Sequence, residues 1–187
     1  MMDLKKIITV LVGVLLVWNM NIRIEGEELP DMKFQLKSAA FRHGENIPEL
    51  YSRTNKGKNL SPPLSWNNPP NGTKSFALIV EDPDIPLFGS FSHWVIYNIP
   101  AETSELKEGI SSWEKFPNGT IQGKNGYRRT GYVGPHPPWG KHRYIFKIYA
   151  LDTILKSSPI LTRKTLLQAI EGHILAQAEL IGCYERK

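Results

Sequence analysis

Three runs, Ser75–Glu81, His93–Ile99 and Tyr144–Leu151, are apolar at alternate positions on both faces and rich in β-branched and aromatic residues. A strand with one wet face alternates apolar with polar, so runs that break this rule predict strands covered on both sides, the centre of a buried sheet. Asp82-Pro83 ends the first and Pro100 the second, because proline has no N–H to give a ladder. Around this centre, Phe34 and Leu36 alternate with Gln35 and Lys37 as a short strand, and Ala178–Tyr184 reads as a last one. Between Phe41 and Pro63 the chain is polar and turn-rich, a long surface excursion. Thr162 caps one amphipathic helix carrying Leu166, Leu167, Ile170 and Ile174, with Gly172 as its stop. Spaced strands with so little helix predict a mostly β sandwich.

The first residues differ in kind. Lys5 and Lys6 precede an apolar run from Ile7 to Val17, the order of an export signal, and the run is short for a membrane span. Residues 1–26 are therefore expected to be an export signal or membrane anchor with its linker, and residues 27–187 the domain. The expected location is the periplasm or the exterior, or a membrane surface held through residues 7–17. Of 23 Lys and Arg, three fall in residues 1–23, and of 18 Asp and Glu one does, which leaves +3 for the rest. That charge is too slight and too dispersed for nucleic acid. Cys183 is the one cysteine, so no intrachain disulfide or thiolate cluster can form, and its apolar neighbours predict an inert, buried thiol.

Candidate chemistry collects at the ends of the central strands. Asp82 sits between a buried run and a proline, a position that suits an Asx turn as well as a ligand. Strict alternation puts His93 on one face with Val95, Tyr97 and Ile99, and Trp94 and Ile96 on the other. By the same rule His142 and Tyr144 share a face and Arg143 takes the opposite one. The loop Gly134-Pro135-His136-Pro137-Pro138 offers mainly backbone, stiffened by proline, with His136 exposed. Asp82, His93 and His142 have the composition of a metal facial triad, weighed here against a pocket that needs no metal. No Gly-x-Ser-x-Gly elbow, phosphate loop or His-Glu-x-x-His occurs, so no enzyme and no cofactor is expected.

Five ordered pieces carry a family resemblance: Leu60–Trp66, Asp82–Pro86, His93–Pro100, Gly131–Leu151 and Gly172–Leu175. Together they resemble the phosphatidylethanolamine-binding protein family, also called the Raf kinase inhibitor protein family, in its shorter bacterial and archaeal branch. The resemblance implies two packed antiparallel sheets with Greek-key connections and peripheral short helices. It implies a small rigid pocket for phosphate-like anions or phospholipid head groups, built from Asp82, His93, Gly134, Pro135, Pro138, His142 and Tyr144, with Arg143 in a scaffold ion pair. Some relatives inhibit serine proteases or kinases, so inhibition through surface loops such as Asn55–Pro63 or Pro83–Gly89 is the alternative. Ser92 stands where a second histidine often sits, and the chain stops soon after Tyr184. The helix that gates the pocket in eukaryotic members is therefore expected to be absent, which puts Raf-type kinase inhibition in doubt. Because an anion beside Asp82 is repelled, protonation of His93 or His142 is expected to control binding, which would weaken from about pH 6 to 8.

Overall fold

The computed structural model describes residues 33–85, 89–112, 116–156 and 159–186. The expected export segment and its linker lie outside them, as does part of the Pro83–Gly89 loop. In chain order the elements are β1 (Gln35–Lys37), a 3-10 turn (Glu49–Tyr51), β2 (Leu64–Asn67), β3 (Ser75–Asp82), β4 (Phe91–Pro100), β5 (Glu105–Leu106), β6 (Ile121–Gln122), β7 (Lys141–Leu151), α1 (Arg163–Ile170) and β8 (Ile174–Glu185). They form a three-stranded sheet, β1-β2-β5, and a five-stranded sheet, β6-β4-β3-β7-β8, antiparallel throughout. This is the predicted sandwich, and the three apolar runs are its adjacent central strands.

β3 and β4 are covered on both faces, which is why β3 shows no polar alternation, whereas β7 over its first half and β8 alternate buried with part-exposed residues. Phe76, Leu78 and Val80 point toward the small sheet and pack with Leu36, Leu64, Trp66, Phe146 and Ile148. Ala77 and Ile79 point the other way, with Val95, Tyr97, Leu166 and Ile170 around α1. Each fully buried Leu, Ile or Phe contributes roughly 1.5–3 kcal/mol, so the inter-sheet layer is the main source of stability. Phe34 extends that layer from the entry to β1, stacking on Phe76 at 5.9 Å.

The helix starts as predicted. Thr162 accepts from Thr165 N–H, and Thr165 Oγ1 accepts from Thr162 N–H, a reciprocal cap of the first turn. Gly172, at φ +78°, turns the chain out, so Ile174 begins β8 instead of extending the apolar stripe. Periodicity alone assigned Ile174 to the helix, because an apolar residue one turn on looks the same before and after a left-handed stop. Cys183, expected to be buried, is half-buried on β8.

β4 departs from strict alternation twice. Its pairing with β3 slips between Phe76 and Leu78, where Asn98 has φ +56°, and again between Val80 and Glu81. The first slip turns Ile99 to the inter-sheet side with Ile96 and Trp94, correcting its expected placement with Val95 and Tyr97. The second slip governs the candidate site.

Candidate functional site

Across the β3–β4 pair, Val80 faces Trp94 and Glu81 faces Ser92, so His93 has no partner residue opposite it. Two residues against one is a bulge, which bends the strand and re-aims a side chain. His93 thereby leaves the face of Val95 and Tyr97 and stands edge-on to Phe91 at 4.9 Å and to Tyr144 of β7 at 5.0 Å. The predicted residue is at the site, but the predicted face was wrong.

Asp82, only 1% exposed, closes β3. Its Oδ1 accepts from Asp84 N–H at 2.8 Å, the Asx turn the sequence allowed, and its Oδ2 accepts from His142 Nδ1 at 2.7 Å. Asp84 in turn accepts from Arg143 Nε at 2.9 Å, Nη2 at 2.6 Å and backbone N–H at 2.9 Å. That fork holds the Asp84 carboxyl down at about 2. Arg143 thus makes the expected scaffold pair, and the end of β3 is pinned to the start of β7 at two successive carboxylates.

Two loops complete the wall. Val133 N–H donates to the His93 carbonyl at 2.9 Å, and His93 Nδ1 donates to the Val133 carbonyl at 2.5 Å. Gly134 N–H is held by Asn59 Oδ1 at 2.7 Å, and Arg53 N–H by the Pro135 carbonyl at 2.9 Å. The backbones approach so closely that a Cβ at position 134 would lie 2.1 Å from the Tyr51 carbonyl oxygen. Beneath Arg53, Glu49 gathers the hydroxyls of Ser52, Thr54 and Tyr184, which ties this loop to β8 and lowers the Glu49 pKa. Arg53 itself lies over Tyr127, its Cζ 5.1 Å from the ring centroid and Nη2 donating to the phenol oxygen at 2.8 Å.

These groups enclose a cavity of about 40 Å³ walled by Asp82, Phe91, His93, Gly134 and Tyr144, with Arg53 and Tyr127 at its side. By volume it has room for roughly three waters, the size of one small polar group. The far larger groove of about 440 Å³ between β1 and β8 is mainly apolar and contains none of these residues. Polar chemistry, not size, marks the small one. Two of its buried atoms, His93 Nε2 and the Tyr144 hydroxyl, have no hydrogen-bond partner among the described residues. Tyr144 is close enough to Asp82 and to the His136 backbone to be influenced by both, yet meets hydrogen-bond geometry with neither; burial, first, and Asp82 push its pKa up.

Of the predicted residues, Asp82, His93, Gly134 and Tyr144 line one cavity. His142 stands behind Asp82, outside the lining; Pro135 supports Arg53 through its carbonyl, and Pro138 is exposed away from the cavity. His136, expected to be exposed, is so and reaches the rim. Arg53, Phe91 and Tyr127 were missed. Arg53 lies in a polar stretch whose sequence carries no sign of its folding back onto residues 80 positions away. Of the three residues with the composition of a metal triad, Asp82 and His93 share the cavity while His142 lies outside its lining with Nδ1 on Asp82, and no group of three His, Cys, Asp or Glu is placed to hold a metal among the described residues. Nor does His93 titrate where expected. Burial above all, outweighing the Val133 bond and Asp82, lowers its pKa to about 4, so its ring is neutral from pH 6 to 8.

Comparison with known proteins bears on the chain as a whole. The family model described as phosphatidylethanolamine-binding protein matches residues 37–185. A UPF0098 protein of Methanothermobacter thermautotrophicus is 46% identical over 151 residues, covering 81% of this chain and 98% of its own. The UPF0098 protein PH1269 of Pyrococcus horikoshii is 41% identical over 188 residues, 98% of this chain and 91% of that one. Among solved structures, the phosphatidylethanolamine-binding protein homologue CT736 of Chlamydia trachomatis superposes with a TM-score of 0.75 at 43% identity, covering 82% of this chain and 98% of its own. YbcL of E. coli, described as a member of the mammalian PEBP family, gives 0.76 at 33% identity over 82% and 99%.

Proposed function

This chain belongs to the phosphatidylethanolamine-binding protein family, and from that premise we propose that it is a non-enzymatic binding protein for a phosphate-like group, free or carried on a head group. One observation carries the reading: His93 Nε2 and the Tyr144 hydroxyl are buried, unpartnered, and share a cavity with the Asp82 carboxylate. A buried polar atom left without a bond costs about 1–3 kcal/mol, and a ligand that satisfies both recovers that in binding. The surrounding loops are locked by hydrogen bonds before any ligand arrives, so little ordering cost is left.

A few polar contacts support dissociation constants of roughly micromolar to millimolar. Calorimetric titration of the full chain with inorganic phosphate at pH 6 tests this. Tyr144→Phe, which keeps the ring and removes the hydroxyl, is expected to weaken binding about tenfold, the worth of one hydrogen bond. Absence of binding to the wild type, or unchanged binding to Tyr144→Phe, would overturn the reading.

A further inference from the structure

The proposed site has a peculiar balance of hydrogen-bonding roles. A carbonyl oxygen can only accept, so the contact between Val133 and His93 Nδ1 puts the proton on Nδ1. In the neutral ring Nε2 then carries a bare lone pair, and it is this atom that is buried without a partner. Asp82 is an acceptor too, already taking bonds from Asp84 N–H and His142 Nδ1. On the donor side stand the Tyr144 hydroxyl and the guanidinium of Arg53. The other titratable groups facing the space are Tyr127, bonded to Arg53, and His136 at the rim.

A fully ionised oxyanion fits this badly. It is accept-only, so it leaves His93 Nε2 unsatisfied and sets like charge against the Asp82 carboxylate. An alkylammonium fails in the opposite way: it is donate-only, leaves the Tyr144 O–H without an acceptor and sits near the Arg53 cation. The ligand must donate and accept within one group. Resting on the oxyanion reading above, we propose that the cavity selects oxyacid groups that keep a proton, meaning phosphate or a phosphate monoester as its monoanion, through P–OH donation to His93 Nε2 or Asp82 and P–O⁻ acceptance from Tyr144. The proton that governs binding therefore belongs to the ligand and not to His93. Sulfate and phosphodiesters, which carry no such proton near neutrality, are excluded, and with them the phosphodiester group of an intact phospholipid.

The test compares methyl phosphate, dimethyl phosphate, sulfate and ethylammonium by calorimetry on the full chain at constant ionic strength. A phosphate monoester loses its second proton near pH ~6, so apparent affinity for methyl phosphate should fall about fifty-fold from pH 6 to 8. Dimethyl phosphate and sulfate should bind at least tenfold more weakly than methyl phosphate at pH 6. In His93→Phe, which keeps a planar ring and removes the lone-pair nitrogen, methyl phosphate should lose affinity at pH 6 while sulfate should not. Sulfate or dimethyl phosphate equal to methyl phosphate at pH 6, or methyl phosphate affinity flat from pH 6 to 8, would overturn the protonated-ligand proposal and leave the oxyanion site standing. Binding of ethylammonium in preference to all three oxyanions would overturn both.

Discussion

At the level of single residues, the site depends on how burial assigns protons. His93, 5% exposed, is held neutral by its surroundings with a pKa of about 4, against about 6.5 in an unfolded chain. Between those values the unfolded chain binds a proton that the fold refuses, so stability is full above pH ~6.5 and is lost as pH falls toward 4. From pH 7 to 5 this one group removes about 2 kcal/mol. Urea unfolding at both pH values checks it: His93→Asn should be less stable at pH 7 but should show a loss on acidification smaller by about that amount. Equal losses in wild type and variant would contradict a buried neutral imidazole. Asp84 behaves in the opposite sense within the same neighbourhood. Its carboxyl is depressed to about 2 by Arg143, so its pair contributes above pH ~3.8 and fails only in strong acid. Histidine, not this ion pair, sets the first acid weakness of the site.

At the level of elements, the site is a junction of strand ends and two interlocked loops, and the sequence disclosed these unequally. The central strands were legible because β3 and β4 lack polar alternation and the run Tyr144–Leu151 is mostly apolar, whereas Asp82 and Tyr144 were singled out by their match to the family's pocket positions, strand position alone leaving an Asx turn or a core aromatic open. The orientation of His93 was not legible. A bulge inserts one residue without changing composition, so strict alternation misassigned both His93, at the second slip, and Ile99, beyond the first slip at Asn98. Arg53 was hidden for another reason: its position depends on Gly134 admitting the Tyr51–Arg53 backbone, a tertiary contact with no local pattern. Gly134→Ala tests that contact. A Cβ would meet the Tyr51 carbonyl oxygen at 2.1 Å, and neither partner is a flexible side chain, so the loops must part. The expected cost is about 2 kcal/mol of stability, as for overpacking elsewhere, together with loss of phosphate binding through displacement of Arg53 and of the Asn59 bond to the Gly134 amide. Thermal unfolding and calorimetry of the same variant read both effects, and a variant that binds like wild type would show that the loop lock is dispensable.

At the level of the whole molecule, the large sheet separates two layers that do different work. Its inner face builds the inter-sheet core and, at one end, the cavity, where Asp82 continues the row of Phe76, Leu78 and Val80, and Tyr144 the row of Phe146 and Ile148. Its outer face carries α1, with Leu166 and Ile170 fully buried against Ala77, Ile79, Val95 and Tyr97. No residue of α1 reaches the cavity lining. Damage to the outer layer should therefore lower global stability without altering the site, because β3 and β7 are pinned at the cavity end by Asp82–His142 and Asp84–Arg143 independently of the helix. Leu166→Ala removes a fully buried side chain at a cost of about 2–5 kcal/mol, a drop of roughly 10 °C in Tm for a domain of this size. Phosphate affinity at 25 °C should stay within twofold of wild type, whereas Gly134→Ala is expected to lose both stability and binding. Should Leu166→Ala weaken phosphate binding in proportion to its loss of Tm, the two faces would be one cooperative unit with the site, and the pinning at the ends of β3 and β7 would not be what holds the cavity in shape.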